Sequence, residues 1–173
     1  LFELAQMIPL SVYTFDKYKS DTDKKKERSC EVILLTDEIT KEEKKLFEEG
    51  SVIADSVMIA RDLCNEPPNV ATPSYLAEYI AQRGKKMGYT VEIFDEKKIL
   101  KLGMNLMHAV GKGSPNRPEF VKITYTGDAK DKKHIALVGK GVAYDTGGVQ
   151  VKPDFFMNTM KSDMAGAASM FAI

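Results

Sequence analysis

Four side chains in the last third of the sequence have types and spacing suited to chemistry: Lys140, Asp145, Lys152 and Asp163. Carboxylates supply the hard oxygen ligands that divalent metal ions prefer. A lysine whose pKa is depressed towards neutrality can bind a metal through its nitrogen, and a lysine that stays protonated can stabilise an oxyanion. Asp145 lies just past an apolar segment and before a glycine pair, where α/β sheets bind their ligands.

Each of these residues also has a purely structural interpretation. Asp145 is compatible with an Asx turn and Asp163 with an N-cap of the last helix. Lys140 and Lys152 are compatible with solvent-facing lysines. Four methionines of the same region are typical of core filling: Met157, Met160, Met164 and Met170. Residue types and spacing alone therefore indicate an α/β domain with a cluster of polar loop residues, and both interpretations stay open.

Several common catalytic motifs are absent. The sequence has no Gly-x-Ser-x-Gly, which excludes the nucleophile elbow of serine hydrolases. Neither His108 nor His134 lies in His-Glu-x-x-His, which excludes a zincin site. The GKG stretch at 139–141 is similar to a phosphate loop, but no Ser or Thr follows its lysine and Tyr144 stands where the dinucleotide fingerprint needs glycine. A nucleotide-binding α/β module stays open as an alternative.

The segments that must position these residues alternate between strands and helices. Apolar and β-branched runs predict four strands, over 31–36, 90–94, 120–126 and 134–138. Helical or short apolar segments are predicted at 95–102 and 104–110, and a helix of small residues over 163–173. The unbroken apolar character of 134–138 is typical of a strand covered on both faces. This succession predicts an α/β fold with a largely parallel sheet.

The most clearly marked helix begins at Thr40. Thr40 and Glu43 form a capping box. Apolar residues then recur every three or four positions and predict one buried stripe, made of Leu46, Gly50, Ile53, Val57, Ala60 and Cys64. The NEPP stretch at 65–68 ends this helix, because paired prolines cannot continue it. A second helix is predicted over 72–88, where a Thr-Pro pair provides the N-cap and the first turn.

Composition narrows the class of protein. The 173 residues carry 25 Lys and Arg against 25 Asp and Glu, and this zero net charge argues against a dedicated nucleic-acid binder. With 43% hydrophobic residues the chain can bury a core, and no apolar run approaches the roughly 18 residues of a membrane span. Cys30 and Cys64 lie in unlike contexts, which favours free thiols in a reducing compartment. We expect a soluble, cytoplasmic protein without membrane or nucleic-acid partners.

Blocks of the sequence resemble the leucine (cytosol) aminopeptidase family. They are LVGKGVAYDTGG at 137–148, VKP at 151–153 and MNTMKSDMAGAA at 157–168. A further block, ARDLCNEPPNVATP at 60–73, is similar to the helix-to-loop segment that opens the catalytic domain of that family. The resemblance extends over about 9–173 and keeps the order of the blocks.

The resemblance implies a role for each candidate residue at a substrate-binding site with two divalent ions, zinc or manganese. It implies that Lys140, Asp145 and Asp163 are metal ligands, that Asp145 bridges the ions, and that Asp163 also helps to hold the free amino group of the substrate. It implies that Lys152 is the catalytic lysine, which polarises the scissile carbonyl and stabilises the oxyanion. Met160 matches a wall of the pocket for the first side chain. In such enzymes the metals activate the water that releases N-terminal amino acids, leucine in particular, from peptides.

The resemblance also implies an architecture. The family has a doubly wound α/β catalytic domain behind a smaller N-terminal domain and assembles as a homohexamer. We therefore expect 1–38 to be the end of the N-terminal domain with a linker, and 39–173 to be the first, incomplete half of the catalytic domain.

The sequence departs from the family pattern in one large respect. Further metal ligands, an Asp and a Glu, and a catalytic Arg come in the family from an Asn-Thr-Asp-Ala-Glu-Gly-Arg segment that these 173 residues do not contain. We expect half of a metal site and no activity from this chain alone. Gln150, Asp154 and Ala165 are smaller departures that remove no proposed ligand. A catalytically silent family member, acting as a structural subunit of a larger assembly, is the alternative.

Overall fold

The computed structural model describes residues 1–23, 31–127, 130 and 133–173. In these residues the helices are α1 Phe2–Val12, α2 Lys41–Asn65, α3 Pro73–Lys86, α4 Glu96–Lys101, α5 Asn105–Gly111, α6 Asp154–Met157 and α7 Ala165–Ala172. The strands are β1 Thr90–Phe94 and β2 Phe120–Thr124, and a 3₁₀ turn spans Met160–Ser162. The described chain divides into two compact units, Leu1–Asp62 with Ile173, and Leu63–Ala172.

In the first unit, α1 packs closely against α2 at Gly50. A Cβ atom at Gly50 would overlap the backbone carbonyl oxygen of Phe2 and lie 2.9 Å from the Cβ atom of Ala5. Ala5 and Gly50 are both buried. Two hydrogen bonds join the other end of the helix pair: the Tyr13 hydroxyl donates to Asp62 at 2.7 Å, and the Arg61 guanidinium to the carbonyl of residue 10 at 3.3 Å.

Helix α2 begins as its sequence predicts. The Thr40 backbone N–H donates to the Glu43 carboxylate at 2.9 Å, and the Glu43 N–H donates to the Thr40 hydroxyl oxygen at 3.2 Å. The hydrogen bond from the Thr40 backbone, followed by the one from its hydroxyl, lowers the pKa of Glu43. The helix ends at Asn65, two residues before Pro67, the first of the paired prolines. The predicted capping box is therefore confirmed.

The buried stripe predicted for α2 is only partly correct. Leu46 and Ile53 are 37% and 42% exposed, whereas Ala54 and Leu63 are buried. Gly50 and Ala54 are one helical turn apart, so the small side chains define the buried face. The larger apolar side chains at 46 and 53 are only partly covered by the described residues.

The second unit is built around a pair of antiparallel strands, β1 and β2, whose connection contains α4 and α5. Helix α3 begins at the predicted N-cap, Thr72, whose hydroxyl oxygen accepts from the N–H of Tyr75 at 3.3 Å. Strands β1 and β2 pair antiparallel, from Thr90 opposite Thr124 to Phe94 opposite Phe120. A buried set shared by these helices and strands forms the core, made of Ala77, Ile80, Phe94 and Ile99.

The predicted largely parallel sheet is not formed by the described residues, whose one sheet has two antiparallel strands. The strands predicted at 31–36 and 134–138 are absent, and both segments are exposed, with Ile33 at 71% and Ile135 at 90%. A strand needs neighbours for its backbone donors and acceptors, and no described segment pairs with either one. The broader expectation of helices combined with a sheet is confirmed.

Cys64 is a free, half-buried thiol, and burial raises its pKa. Cys30 lies outside the described residues. Within the described part of the chain, no helix has the length and apolar character needed to cross a membrane.

We predict that Gly50→Ala destabilises the protein. Alanine favours a helix over glycine by about 1 kcal/mol, but the added methyl group would overlap the Phe2 carbonyl, and overpacking typically costs about 1–3 kcal/mol. Gly113→Ala is the matched control, because a Cβ atom there meets nothing within 4 Å. Urea unfolding checks this expectation. A Gly50→Ala midpoint equal to or above that of Gly113→Ala would contradict the packing described for α1 and α2.

Candidate metal and catalytic site

The Lys140 backbone runs directly against the start of α7. A Cβ atom at Gly139 would overlap the carbonyl oxygen of Gly166 and lie 2.7 Å from the Cα atom of Ala167. The Ala167 N–H donates to the Lys140 carbonyl oxygen at 2.8 Å. Glycines at 139 and 166 therefore let the two backbones approach more closely than side chains would permit.

This close approach brings Lys140 to Asp163. The Lys140 Nζ donates to Asp163 Oδ1 at 2.8 Å, and the side chains are 60% and 16% exposed. The hydrogen bond with Asp163 raises the pKa of Lys140. A lysine of depressed pKa, which the sequence analysis describes as a metal ligand, is therefore not what the structure shows at Lys140, because the neighbouring carboxylate stabilises the protonated form. Lys140 is thus solvent-accessible yet held by one partner.

The second carboxylate oxygen of Asp163 is buried and lacks a hydrogen-bond partner among the described residues. Asp163 therefore does not cap α7, which begins at Ala165. A buried carboxylate oxygen without a partner is costly, and a divalent cation is a group that can satisfy it. This oxygen fits the metal-ligand role that the resemblance implies for Asp163.

Asp145 uses its two oxygens for two different purposes. Oδ1 accepts from the Gly147 N–H at 2.9 Å, which is an Asx turn, and Oδ2 accepts from the Lys152 Nζ at 2.8 Å. The Lys152 hydrogen bond, followed by that from Gly147, lowers the pKa of Asp145. The turn and the polar pair therefore exist together, and the structural interpretation does not exclude the chemical one.

Lys152 is held from three directions and is 27% exposed. Its backbone N–H donates to the Thr146 carbonyl at 2.9 Å, and its Nζ lies 2.8 Å from both Asp145 Oδ2 and the Met160 sulfur. Gly147 makes this loop possible, since its φ of +91° suits glycine and a Cβ atom there would overlap the Gln150 carbonyl. Lys152 is therefore held within the site and does not point freely into solvent.

The methionines of this region differ in what they do. Met164 is 1% exposed and fills the core, as the structural interpretation expects. Met160 instead places its sulfur against the Lys152 ammonium group. The structure therefore brings Met160 to the candidate catalytic lysine.

The five candidate residues thus form two groups, Lys140 with Asp163, and Lys152 with Asp145 and Met160. The charge of Lys140 also contributes to the lowered pKa of Asp145, so the two groups lie within electrostatic range of each other. Carboxylate oxygens with one nitrogen suit zinc or manganese. No cluster of three or more His, Cys, Asp or Glu occurs in the parts of the chain that the structure describes. The residues present therefore fit part of a metal site.

Sequence reasoning missed two side chains that support this site. The Tyr144 hydroxyl donates to the Met157 carbonyl at 2.8 Å, and the Lys161 Nζ donates to the Asn65 carbonyl at 3.3 Å. Lys161 therefore ties the 3₁₀ turn that carries Met160 to the end of α2. The adjacency of Tyr144 to Asp145 was a usable signal, whereas nothing local in the sequence pairs Lys161 with a residue so distant along the chain.

A profile described as "Cytosol aminopeptidase family, catalytic domain" matches residues 58–173. The chain belongs to the cytosol aminopeptidase family. The resemblance of the motif blocks to this family is thereby confirmed. The match contains all the candidate residues of the site.

Individual members of the cytosol aminopeptidase family agree with this assignment. The chain is 46% identical over 167 residues to a probable cytosol aminopeptidase of Fusobacterium nucleatum subsp. nucleatum, covering 96% of this chain and 34% of that protein. It is also similar to the structure of the bottromycin maturation enzyme BotP in complex with Mn, with a TM-score of 0.80, 32% identity, and coverage of 99% and 34%. Leucine aminopeptidase of Caenorhabditis elegans gives a TM-score of 0.67 and 36% identity over 71% of this chain and 25% of that one. The chain spans about a third of the length of the curated relatives it matches.

We predict that Gly139→Ala loosens the contact that this cytosol aminopeptidase family member uses to place Lys140 beside Asp163. The added methyl group would displace the Gly166 backbone, at a typical overpacking cost of about 1–3 kcal/mol. Gly141→Ala, on the other side of Lys140, is the control, because its Cβ atom meets only the Ala167 methyl group at 3.2 Å. The denaturant midpoint should fall clearly more for Gly139→Ala than for Gly141→Ala. Equal midpoints would show that the backbone contact at 139 and 166 is not tight.

Proposed function

We propose that the full-length gene product is a metal-dependent aminopeptidase that releases N-terminal amino acids from peptides, with a leucine-type preference. One observation carries this proposal. In a chain of the cytosol aminopeptidase family, Lys152 is hydrogen-bonded to Asp145 and touches Met160, and a buried oxygen of Asp163 remains available to a cation. Relatives named as aminopeptidases support the same reaction class.

Lys140, Asp145 and Asp163 would hold the divalent ions, two per site, with zinc and manganese as the candidates. Such ions, when bound, supply Lewis-acid polarisation of a carbonyl and of a water molecule. Lys140 must lose a proton before its nitrogen can act as a ligand, because an ammonium group has no lone pair. Since Asp163 raises the pKa of Lys140, proton and metal compete for that nitrogen, and we expect metal affinity to increase with pH.

Lys152 has the opposite requirement, because it serves by staying protonated. Its Nζ is oriented by the Asp145 carboxylate at 2.8 Å, and its burial to 27% exposure limits competition from water. A fixed ammonium donor can hydrogen-bond the oxygen of a scissile carbonyl as negative charge develops on it. In this role Lys152 is the electrophilic catalyst and Asp145 holds it in place.

Met160 supports the leucine-type preference. Its side chain is flexible and polarisable, which suits contact with apolar substrate side chains of varied shape. Its sulfur lies 2.8 Å from the Lys152 Nζ, so an apolar side chain that contacts Met160 lies next to the catalytic lysine. The first residue of the peptide would thereby be recognised beside the bond to be cleaved.

Other features of the family belong to this proposal. We place the gene product in the cytoplasm as a homohexamer, with residues 39–173 in a doubly wound, largely parallel α/β catalytic domain and 1–38 in the preceding domain and linker. The exposed apolar segment 134–138 would then be a strand of the larger sheet. Further metal ligands would come from sequence outside these 173 residues, so the isolated chain should be inactive.

We predict that two substitutions separate metal binding from catalysis in the full-length gene product. Asp145→Ala should lower metal content and abolish turnover together, because both ions lose a ligand. Lys152→Ala should leave metal content near the wild-type value while kcat falls by roughly two orders of magnitude, the usual scale for losing one oxyanion donor. Elemental analysis and hydrolysis of a leucine anilide measure both quantities on one preparation.

Lys101→Ala, which removes an exposed lysine of α4, is the control and should change neither quantity. Full kcat in metal-replete Lys152→Ala would overturn the catalytic assignment. Equal loss of metal in both variants would make Lys152 a structural support of the site. A metal-replete wild-type protein without peptidase activity would favour the silent structural subunit, which no observation supports at present.

A further inference from the structure

We propose that Tyr144 is a positioning residue of this site, whose hydroxyl group holds the loop that presents Lys152. The proposal rests on the proposed function, because it assigns a role to Tyr144 in the same reaction. Tyr144 matches none of the metal-ligand or catalytic roles that the motif blocks imply. In the sequence, Tyr144 stands at the position where a dinucleotide-binding fingerprint would need glycine.

Lys152 lies in a loop formed by residues 145–153, and the hydrogen bond of Tyr144 joins the two ends of this loop. Its hydroxyl donates to the carbonyl oxygen of Met157 at 2.8 Å in a partly buried setting. Tyr144 directly precedes Asp145, and Met157 is the last residue of α6, one turn before Met160. One bond therefore connects the backbone that leads to Asp145 with the helix end that leads to Met160.

Between these two ends the loop has no regular secondary structure. Residues 145–153 contain no helix or strand. Four hydrogen bonds lie within the loop: Lys152 N–H to the Thr146 carbonyl, Gly148 N–H to the Thr146 hydroxyl oxygen, Gly147 N–H to Asp145, and Lys152 Nζ to Asp145. Two of these four hydrogen bonds are accepted by the Asp145 side chain. A substrate or ion that binds the Asp145 carboxylate would weaken both of these hydrogen bonds. The hydrogen bond of Tyr144 does not involve that carboxylate.

The position of Lys152 relative to Met160 therefore depends on the base of the loop. Closing a loop at its ends reduces the space that its interior residues explore, and loss of alignment between catalytic group and substrate lowers rate more than binding. Without the Tyr144 hydroxyl, Asp145 would still orient the Lys152 ammonium group, but the loop as a whole could shift against the Met160 segment. The expected consequence is a defect in kcat with little change in metal content.

Tyr144→Phe in the full-length gene product tests this, because it keeps the ring and removes only the hydroxyl. We expect kcat for a leucine anilide to fall about three- to tenfold, the scale of one hydrogen bond, with KM changed less than about twofold and metal content unchanged. Hydrogen exchange followed by mass spectrometry should show faster exchange of amides in 145–152, with α3 and β1 unaffected. Tyr125→Phe is the matched control, since the Tyr125 hydroxyl is exposed and makes no hydrogen bond with the described residues.

Each result has a defined meaning. Unchanged kcat and unchanged exchange in 145–152 would overturn the proposal. Faster exchange throughout the protein would also overturn it, because Tyr144 would then support the fold in general. If the metal-replete wild-type enzyme is inactive, the proposed function fails, and local faster exchange in Tyr144→Phe would still establish the loop-holding role by itself. If Tyr125→Phe had equal effects, the change would not be specific to the Tyr144 hydroxyl, and this result would also overturn the proposal.

Discussion

The contact between the backbone at Gly139 and Lys140 and the start of α7 is the constraint on which the site depends. Neither residue 139 nor residue 166 has room for a Cβ atom, and the Ala167 N–H bonds to the Lys140 carbonyl. Because the two backbones touch, the Lys140 side chain reaches one oxygen of Asp163, and the second oxygen is buried without a hydrogen-bond partner in the part of the chain that the structure describes. A small shift of α7 would separate the pair and open that oxygen to solvent.

The second polar group, Lys152 with Asp145 and Met160, depends on the loop formed by residues 145–153, whose two ends are joined by a hydrogen bond. Tyr144 fixes the base, the left-handed Gly147 turns the chain, and Asp145 joins the turn to the Lys152 ammonium group. Asp145 therefore combines a structural role with a proposed chemical one. The same carboxylate that shapes the loop is proposed to bind metal, so occupancy of the site and order of the loop should be coupled.

Sequence patterns predicted local features and residue types, but not long-range pairing. The capping box at Thr40 and the N-cap at Thr72 follow from neighbouring residues, and both are confirmed. The pairing of Lys140 with Asp163 could not be derived from spacing, since it requires the backbone contact at Gly139 and Gly166. The strand predicted at 134–138 is not formed in this structure, because a strand needs a neighbouring strand to hydrogen-bond with and none of the described segments pairs with it. The motif blocks identified the family of the chain correctly. The periodicity of apolar residues alone does not identify a family.

Anomalous diffraction from crystals of the full-length gene product with manganese is the most direct test of the central claim. That claim is that Lys140, Asp145 and Asp163 form one half of a divalent metal site beside Lys152. The account predicts an anomalous peak within coordination distance of the buried Asp163 oxygen, with Asp145 as a second ligand and with Lys140 released from its hydrogen bond to Asp163. A peak remote from both carboxylates, or manganese-saturated crystals in which Lys140 remains hydrogen-bonded to Asp163, would contradict it.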